Sequence, residues 1–304
     1  MGKLTVIGST NLDMIMQLER MPNPGETLLG GHYSTAPGGK GANQAVAAAR
    51  AGAEVTFISC LGNDAIGDKA LEDFAKDGIN TTYIKSVDNT STGVAFIFVD
   101  QEGENTIGVA SGANSLLIPK QLESADNNIS EADIILCQLE IPMETLKYIA
   151  IKTSDKKGLF ILDPAPTTEL EDIILKNVDI LTPNEIEVEQ LTRVQVIDED
   201  SARAACQRLH DKEIKTVIIT MGDRGAYLST SDENCLIPSF DVDAVDTTAA
   251  GDVFNGALAK ALSDGQEIKN AIRFANAAAA LSVTVLGAQP SAPNEKDILS
   301  LLNK

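Results

Sequence analysis

A single carboxylate, Asp252, lies inside a stretch of small residues at the predicted start of a helix. Apolar residues recur behind it at three- and four-residue spacing, and Asp246, Thr247 and Thr248 before it are residue types that cap helices. Free N–H groups in a first turn made of residues 249–252 would bind an anion. A carboxylate beside an anion site favours phosphoryl transfer to a hydroxyl group. An ordinary helix start, with Asp252 complementing the dipole, is the alternative.

A second candidate stretch is glycine-rich and runs from Gly38 to Asn43, before an alanine-rich helix predicted to end at about Arg50. Its spacing differs from that of a phosphate-binding loop, because Lys40 precedes a glycine rather than Ser or Thr. We expect the backbone to approach a small polar ligand closely, with Lys40 and Asn43 as hydrogen-bonding groups. A glycine-rich helix start with a solvated lysine is the alternative.

Strand-like and helical patterns alternate from residue 54 onward. This alternation predicts an α/β fold with a doubly wound, mostly parallel central sheet flanked by helices. No linker or repeat divides the chain, so we expect one domain over residues 1–304. Strands are predicted at 4–7, 55–60, 134–139, 159–162, 178–182 and 216–220, and helices at 67–77, 119–127, 144–153, 185–191 and 200–210.

Polar residues follow several of these predicted strands. Ligands of open α/β sheets bind at the carboxyl ends of the strands, so we expect these residues along one crevice. For Asn11 and Asp13, the alternative is a turn held by their own side chains. The residues are Asn11, Asp13, Glu140, Asp163, Asn184, Glu187, Thr220 and Gly222.

Asn184 and Glu187 share one face at the start of a predicted helix. Their spacing is that of a capping box, in which each side chain bonds the backbone N–H of the other residue. A capping contact does not exclude a second role for these two residues, because they are also expected along the ligand crevice.

Residues 11–37 and 92–110 contain short extended runs and a predicted hairpin but no clear helix. We expect them to pair as a small sheet that projects from the main fold. Such a sheet is poorly stable alone, and burial of its apolar face in a dimer would stabilise it.

Composition excludes several classes of partner. The formal net charge of −20 argues against nucleic acid and anionic membranes. The four cysteines are dispersed without a C-x-x-C pair, which predicts reduced thiols and a cytoplasmic location. Only two histidines occur, so a histidine-based zinc site or catalytic triad is not expected. The apolar run at 274–288 is too short for a membrane span and predicts a buried helix.

The stretches 38–45 and 246–256 resemble, in the same order, two signatures of the ribokinase-like (PfkB) carbohydrate kinases. The resemblance extends over residues 3–303 and implies a fold with a projecting β-sheet lid. It implies that the sugar contacts Asn11, Leu12, Asp13, Gly39, Lys40, Gly41, Ala42, Asn43, Glu140 and Asp252, with Asp252 as the catalytic base. It implies that ATP contacts Asn184, Thr220, Met221, Gly222, Asp223, Arg224, Gly225, Ala249, Ala250, Gly251, Asp252 and Asn276.

The resemblance also implies two cations and an assembly. Mg²⁺ would bridge the phosphates near Glu187, and many members of the family form homodimers through the lid. A monovalent cation, K⁺, would be held by Asp246, Thr248, Ser282, Val285, Gly287 and Ser291.

The activity implied is transfer of a phosphoryl group from ATP to the 5-hydroxyl of D-ribose, giving D-ribose 5-phosphate and ADP. Two alternatives stay open. One is a kinase of the same family for another substrate, such as deoxyribose, a nucleoside or a hexose derivative. The other is a non-catalytic sugar-binding regulatory protein, since one fold hosts many functions.

Overall fold

The computed structural model describes residues 2–154 and 158–303, which form a nine-stranded sheet and a four-stranded sheet. No helix within these residues is long and apolar enough to cross a membrane. The strands are β1 (Leu4–Ile7), β2 (Asn11–Gln17), β3 (His32–Gly38), β4 (Val55–Gly62), β5 (Asn80–Val87), β6 (Gly93–Val99), β7 (Asn105–Ala110), β8 (Ile134–Cys137), β9 (Leu159–Leu162), β10 (Ile180–Leu181), β11 (Thr216–Thr220), β12 (Ala226–Ser229) and β13 (Asn234–Ile237). The helices are α1 (Lys40–Arg50), α2 (Ala65–Lys76), α3 (Pro119–Leu122), α4 (Asp126–Glu131), α5 (Met143–Thr153), α6 (Asp172–Leu175), α7 (Glu185–Thr192), α8 (Glu199–His210), α9 (Ala250–Ser263), α10 (Ile268–Ser282) and α11 (Glu295–Leu302).

The nine-stranded sheet confirms the predicted doubly wound α/β fold. Its order is β13-β12-β11-β10-β9-β8-β1-β4-β5, with parallel pairing from β11 to β5 and an antiparallel hairpin at β12 and β13. Helices α1, α2, α9, α10 and α11 contribute to the core on one face, and α3 to α8 to the core on the other. Central strands are apolar on both faces, because both faces are covered.

The order of strands reverses at β1, which lies between β4 and β8. Two glycines bring the start of α1 directly against the end of this strand. A Cβ on Gly8 would lie 2.7 Å from Gly41 Cα, and a Cβ on Gly41 would lie 2.5 Å from Ser9 N. The glycine-rich stretch therefore reaches the switch point of the sheet, where ligands of open α/β folds bind.

The small sheet has the order β3-β2-β6-β7 and combines the two segments predicted to pair. Strand β2 pairs antiparallel with β3 and parallel with β6, and β6 and β7 form the predicted hairpin. The register aligns Asp13 with Ala95, and Ala95 with Val109. These three residues share one face, because directly opposite residues of paired strands point to the same side.

Several boundaries differ from the sequence-based prediction. The helix predicted at 119–127 is divided into α3 and α4 by a 3₁₀ turn at Glu123–Ala125. Strand β5 was not predicted; it lies at the edge of the sheet with its residues half-buried or exposed, so its apolar alternation is weak. The β12–β13 hairpin and α11 were also not predicted, and α10 ends at Ser282, before the end of the apolar run.

Candidate active site

A cavity of about 180 Å³, the inner cavity, lies where the starts of α1 and α9 meet the carboxyl ends of β9, β10 and β11. It brings together the candidate base, the candidate anion site and polar residues that follow three strands. Its lining residues are Lys40, Asp163, Ala165, Thr182, Asn184, Glu187, Thr220, Thr247, Ala249, Ala250, Gly251, Asp252 and Asn255.

The Asp252 carboxylate is held by two side-chain amides from α1. Asn43 Nδ2 donates to its Oδ2 at 2.9 Å, and Gln44 Nε2 donates to its Oδ1 at 3.0 Å. Only 5% of Asp252 is exposed, and the residue lines the inner cavity. A buried carboxylate with both oxygens fixed in this way is oriented before a ligand arrives, as a general base should be.

The start of α9 differs from the predicted cap. Ala249 is the N-cap residue in a left-handed conformation (φ 59°), and no side chain caps the helix. The prediction that Asp246, Thr247 and Thr248 cap it is therefore wrong. The left-handed turn separates these residues from the helix, and the Asp246 carboxylate instead accepts the N–H groups of Thr248 and Gly287, at 2.9 and 2.8 Å.

Without a side-chain cap, most amides of this turn stay available. The Ala250 N–H donates to Thr247 O at 3.2 Å, whereas those of Ala249, Gly251 and Asp252 bond to no atom of residues 2–154 and 158–303. A Cβ built on Gly251 meets no atom within 4 Å. Packing within the chain thus does not require this glycine, and the open space lies where an anion could contact the helix start.

The lining of the inner cavity includes one cationic residue, Lys40. Its burial lowers the pKa of the ammonium group, but nearby carboxylates outweigh that effect and raise the pKa above its ordinary value. Lys40 therefore stays charged and offsets part of the negative charge around it. The carboxylates are Asp252, Asp163, Glu140 and Glu187.

The candidate sugar residues converge beside Asp252 at the junction of β2, β3 and α1. Gly38 lies against Asp13, so that a Cβ there would come within 2.3 Å of Asp13 Oδ2. Burial, and next the charges of Glu140 and Asp252, raise the pKa of Asp13 from 3.8 to about 6. Because the charges of Glu140 and Asp252 both act on Asp13, the three carboxylates belong to one site.

Two neighbouring residues with no predicted role fix the polar groups of the sugar site. Asn114 Nδ2 donates to Asn11 Oδ1 at 2.8 Å, which leaves the Asn11 amide N–H groups for other partners. The Ser9 hydroxyl donates to Glu140 Oε2 at 2.5 Å, and the Lys40 backbone N–H donates to the same oxygen at 3.0 Å. Asn114 lies 103 positions from Asn11, and no motif in the sequence indicates this contact.

A larger cavity of about 610 Å³, the outer cavity, shares Thr247 and Ala250 with the inner cavity. Its lining is partly apolar, and its volume is large enough for the aromatic ring of a nucleobase. The segment after β13 and the middle of α10 form most of its wall. These residues match no motif, so no signal in the sequence indicated them. It is lined by Gly222, Asp223, Ser239, Phe240, Asp241, Val242, Ala244, Thr247, Ala250, Ala279, Ala280 and Val283.

Other predicted nucleotide residues serve contacts within the protein. The Arg224 guanidinium forms an ion pair with Glu185 and donates to Ile197 O at 3.0 Å. Met221 is only 2% exposed. Asn276 is buried and donates its side-chain amide to the carbonyls of Ile237 and Pro238, at 2.9 and 3.1 Å. Their contact with a nucleotide stays a prediction, as does that of Gly225, where a Cβ would lie 2.2 Å from Ile237 O.

Asn184 and Glu187 form the capping box, with both reciprocal bonds at 2.8 Å. Both residues also line the inner cavity. Burial raises the pKa of Glu187, although the Asn184 N–H and the Lys40 charge partly offset this effect. The capping contact and a place in the lining of the inner cavity therefore occur together.

The predicted residues of the monovalent cation site belong to two adjacent segments, one before α9 and one that begins at Ser282, the last residue of α10. The N–H groups of Val245 and Asp246 donate to Val283 O at 2.7 and 3.0 Å, and the Asp246 carboxylate accepts the Gly287 N–H. Burial raises the pKa of Asp246, but hydrogen bonds from Thr248 and Gly287 outweigh this effect and hold it below its usual value. An ionised carboxylate is an oxygen ligand of the kind that suits a hard cation.

This fold and site define a phosphotransferase of the α/β class that acts on a hydroxyl group. A profile described as pfkB family carbohydrate kinase matches residues 1–295. The chain belongs to the PfkB family of carbohydrate kinases, and family membership makes it an ATP-dependent carbohydrate kinase.

Similar proteins cover the chain almost completely. The ribokinase of Haemophilus influenzae is 47% identical over 300 residues, which are 98% of each chain. The deoxyribokinase of Salmonella typhi is 40% identical over 293 residues, covering 96% of this chain and 95% of the relative. The structure of Arabidopsis thaliana ribokinase complexed with ribose and ATP superposes with a TM-score of 0.94 at 34% identity, covering 100% of this chain and 99% of the other.

Proposed function

We propose that this kinase transfers the γ-phosphoryl group of ATP to the 5-hydroxyl of D-ribose, giving D-ribose 5-phosphate and ADP. The observation that carries the proposal is the Asp252 carboxylate, held by Asn43 and Gln44 beside the unbonded amides of the α9 start. The ribokinases of Haemophilus influenzae and Arabidopsis thaliana support ribose as the substrate and ATP as the donor.

In this proposal, each part of the inner cavity has a role. Asp252 accepts the proton of the 5-hydroxyl as its oxygen attacks the γ-phosphoryl group. The N–H groups of Ala249, Gly251 and Asp252 donate hydrogen bonds that stabilise the negative charge on the transferring phosphoryl group. The positive end of the α9 dipole adds to this stabilisation. Lys40 supplies a charge that offsets the carboxylates around it.

Substrate contacts on either side complete the site. The sugar lies against Asn11, Asp13, Gly39 and Asn43, with Glu140 held by Ser9 at its edge. The ATP phosphates occupy the inner cavity. The adenine ring of ATP lies in the outer cavity, which joins the inner cavity at Thr247 and Ala250. The two substrates therefore approach Asp252 from opposite sides.

We propose Mg²⁺ and K⁺ as the cations of this kinase. Within the described ranges, no three His, Cys, Asp or Glu residues are close enough to hold a metal ion by themselves. Phosphate oxygens and water would therefore complete a Mg²⁺ site near Glu187. The ion would neutralise charge on the phosphates. K⁺ would be held by the segments around Asp246 and Gly287.

We further propose that the small sheet is a lid over the sugar and that a second copy covers it. The face that carries Asp13 continues through Ile15, which pairs with Ile97, and Ile97 pairs with Ile107. Ile107 is 53% exposed and Val109 is 52% exposed. Ile107 and Val109 adjoin the sugar site on this face, and residues 2–154 and 158–303 cover only about half of each.

The dimer is tested by sedimentation of the protein and of two matched variants. Ile107→Glu places a charge on the apolar face and is expected to give a monomer. Thr106→Glu places the same charge on the other face of β7 and is expected to leave the dimer intact. A monomeric wild-type protein, or equal sedimentation of both variants, would overturn this part of the proposal. The cytoplasmic location stays a prediction.

The activity is tested by ADP release with ATP, Mg²⁺ and K⁺ over a panel that includes ribose, 2-deoxyribose, adenosine and fructose. We expect ribose to give the highest kcat/KM, and the phosphorylated product to carry the phosphate on C5. A tenfold preference for another acceptor would replace ribose. Calorimetric binding of ribose without any ATP turnover would support a regulatory protein instead.

A further inference from the structure

Gln44 is a completely buried residue of α1 whose amide bridges two carboxylates. Its Nε2 donates to Asp252 Oδ1 at 3.0 Å and to Asp163 Oδ2 at 2.8 Å. Each contact uses one of the two N–H bonds of the amide. No donor of this side chain is left for a substrate, so any effect of Gln44 on the reaction must act through the two carboxylates.

Gln138 fixes the orientation of this amide. It lies just beyond β8, is completely buried, and donates from Nε2 to Gln44 Oε1 at 2.5 Å. Because Gln44 Oε1 accepts this bond, the Gln44 NH₂ group must face Asp252 and Asp163. A flipped amide would direct its oxygen at two carboxylates and lose all three bonds.

The bridged carboxylates need such a donor. Burial raises the pKa of Asp163 well above its ordinary value, and the charges of Asp252 and Glu187 add to this effect, although Lys40 offsets part of it. Glu140 and Asp13 add further negative charge close by. Without Gln44, Asp252 would keep only the Asn43 bond and would face Asp163 with no donor between them.

We propose that Gln44, oriented by Gln138, is a positioning residue that holds the base Asp252 at the angle at which it accepts the sugar proton. The inference deepens the proposed kinase reaction and depends on it. It predicts an effect on the chemical step that disappears when the base is absent, whereas a residue needed only for packing would act with or without the base.

The test is a double-mutant cycle between Gln44→Met and Asp252→Asn. Met has nearly the same length as Gln but cannot donate to a carboxylate. Since hydrogen bonds to charged groups are the stronger class, we expect Gln44→Met alone to lower kcat by about 10- to 100-fold, with KM for ribose and ATP within about twofold. In the Asp252→Asn background, we expect the same change to alter the residual kcat by less than about twofold.

Gln207→Met is the matched control, because the Gln207 amide also donates to a carboxylate, Asp211 Oδ1 at 2.9 Å, but lies on α8 away from the site. We expect its kcat to equal that of the wild type. Gln138→Met keeps the Gln44 amide between Asp252 and Asp163 but removes the bond that orients it. We therefore expect a smaller loss of kcat, which should also vanish in the Asp252→Asn background. This variant decides the question if Gln44→Met does not fold.

Two results would overturn the inference while leaving the kinase assignment intact. The first is an equal factor of loss from Gln44→Met or Gln138→Met in both backgrounds. The second is a rise in KM with unchanged kcat. Absence of turnover by the wild-type protein with every acceptor would instead refute the proposed function itself.

Discussion

Asn43 and Asp252 are 209 positions apart in the chain, yet Asn43 Nδ2 donates to Asp252 Oδ2 at 2.9 Å. This bond joins the glycine-rich start of α1 to the start of α9. The amide that fixes the proposed base therefore belongs to the stretch proposed to contact the sugar, so the proposal makes sugar binding and proton transfer depend on one set of side chains.

The first prediction concerns the base itself. Asp252→Asn keeps the side-chain shape, and its one oxygen can still accept from Asn43 or from Gln44, but it cannot take up a proton. We expect kcat to fall by about 10²- to 10⁴-fold, while calorimetry shows ribose binding within severalfold of the wild type. A variant with near-normal kcat would show that another group accepts the proton.

The second prediction separates stability from catalysis at Gly251. A Cβ at this position meets no protein atom, and Ala is favoured over Gly in a helix by up to about 1 kcal/mol. We therefore expect Gly251→Ala to raise the melting temperature slightly. The added methyl group occupies the space beside the free amides, so we expect kcat to fall by about 10²-fold.

Gly108→Ala is the control for this prediction, because a Cβ on Gly108 also meets nothing within 4 Å but lies on β7 of the small sheet. Melting curves and initial rates are measured for both variants without and with ATP. Full activity of Gly251→Ala would show that no phosphoryl group contacts this turn.

The third prediction distinguishes the two roles of Glu187. Glu187→Gln keeps an oxygen that can accept the Asn184 N–H, so the capping box and the melting temperature should survive. The charge near the phosphates is lost, so we expect the Mg²⁺ concentration for half-maximal activity to rise by about tenfold. Glu187→Ala should lose both. An unchanged Mg²⁺ dependence of the Gln variant would leave Glu187 as a helix cap only.

The parts of the site that the sequence predicted are those with local signals. The starts of α1 and α9 follow from glycine-rich or small-residue stretches before periodic apolar residues, and both lie where expected. The capping box at Asn184 and Glu187 also follows from spacing alone. Each of these features depends on residues within one helical turn of each other.

The features that the sequence did not predict depend on distant contacts. The left-handed turn at Ala249 is accompanied by hydrogen bonds from the N–H groups of Val245 and Asp246 to Val283 O. Val283 directly follows α10 and is far from Ala249 in the chain. The Asn114 contact with Asn11 also joins residues far apart in the chain. The wall of the outer cavity around Phe240 belongs to an irregular segment with no periodicity. Such contacts are set by tertiary packing, which overrides local preference.

The fourth prediction is a pH dependence that originates at Asp13. Burial and the charges of Glu140 and Asp252 raise its pKa from 3.8 to about 6. The folded state thus binds this proton more tightly than the unfolded state, so the free energy of unfolding falls as the pH rises from about 4 to about 6, and it stays lower above that range. We expect Asp13→Asn to remove this loss and to be more stable than the wild type at pH 7.5 by up to about 3 kcal/mol.

The same carboxylate binds sugar hydroxyls best when it is ionised, so we expect ribose affinity of the wild type to rise as the pH passes through about 6. Denaturant unfolding and calorimetry between pH 4.5 and pH 8 measure both effects. Asp232→Asn removes an exposed carboxylate in the turn between β12 and β13 and is the matched control. A stability difference between Asp13→Asn and the wild type that stays constant from pH 4.5 to pH 8 would refute the raised pKa of Asp13.

The fifth prediction concerns K⁺ and the two segments that Asp246 joins. Its carboxylate accepts the N–H groups of Thr248 and Gly287 and stays ionised, so it can hold both the start of α9 and a cation in place. We expect KCl to raise kcat about fivefold or more over choline chloride at equal ionic strength, and Asp246→Ala to abolish this response. Thr284→Val removes only the bond from Thr284 Oγ1 to Leu281 O in the same segment, and it should keep the response. An equal KCl response of the wild type and Asp246→Ala would show that the cation binds elsewhere, because the Asp246 carboxylate would then not be needed to hold it.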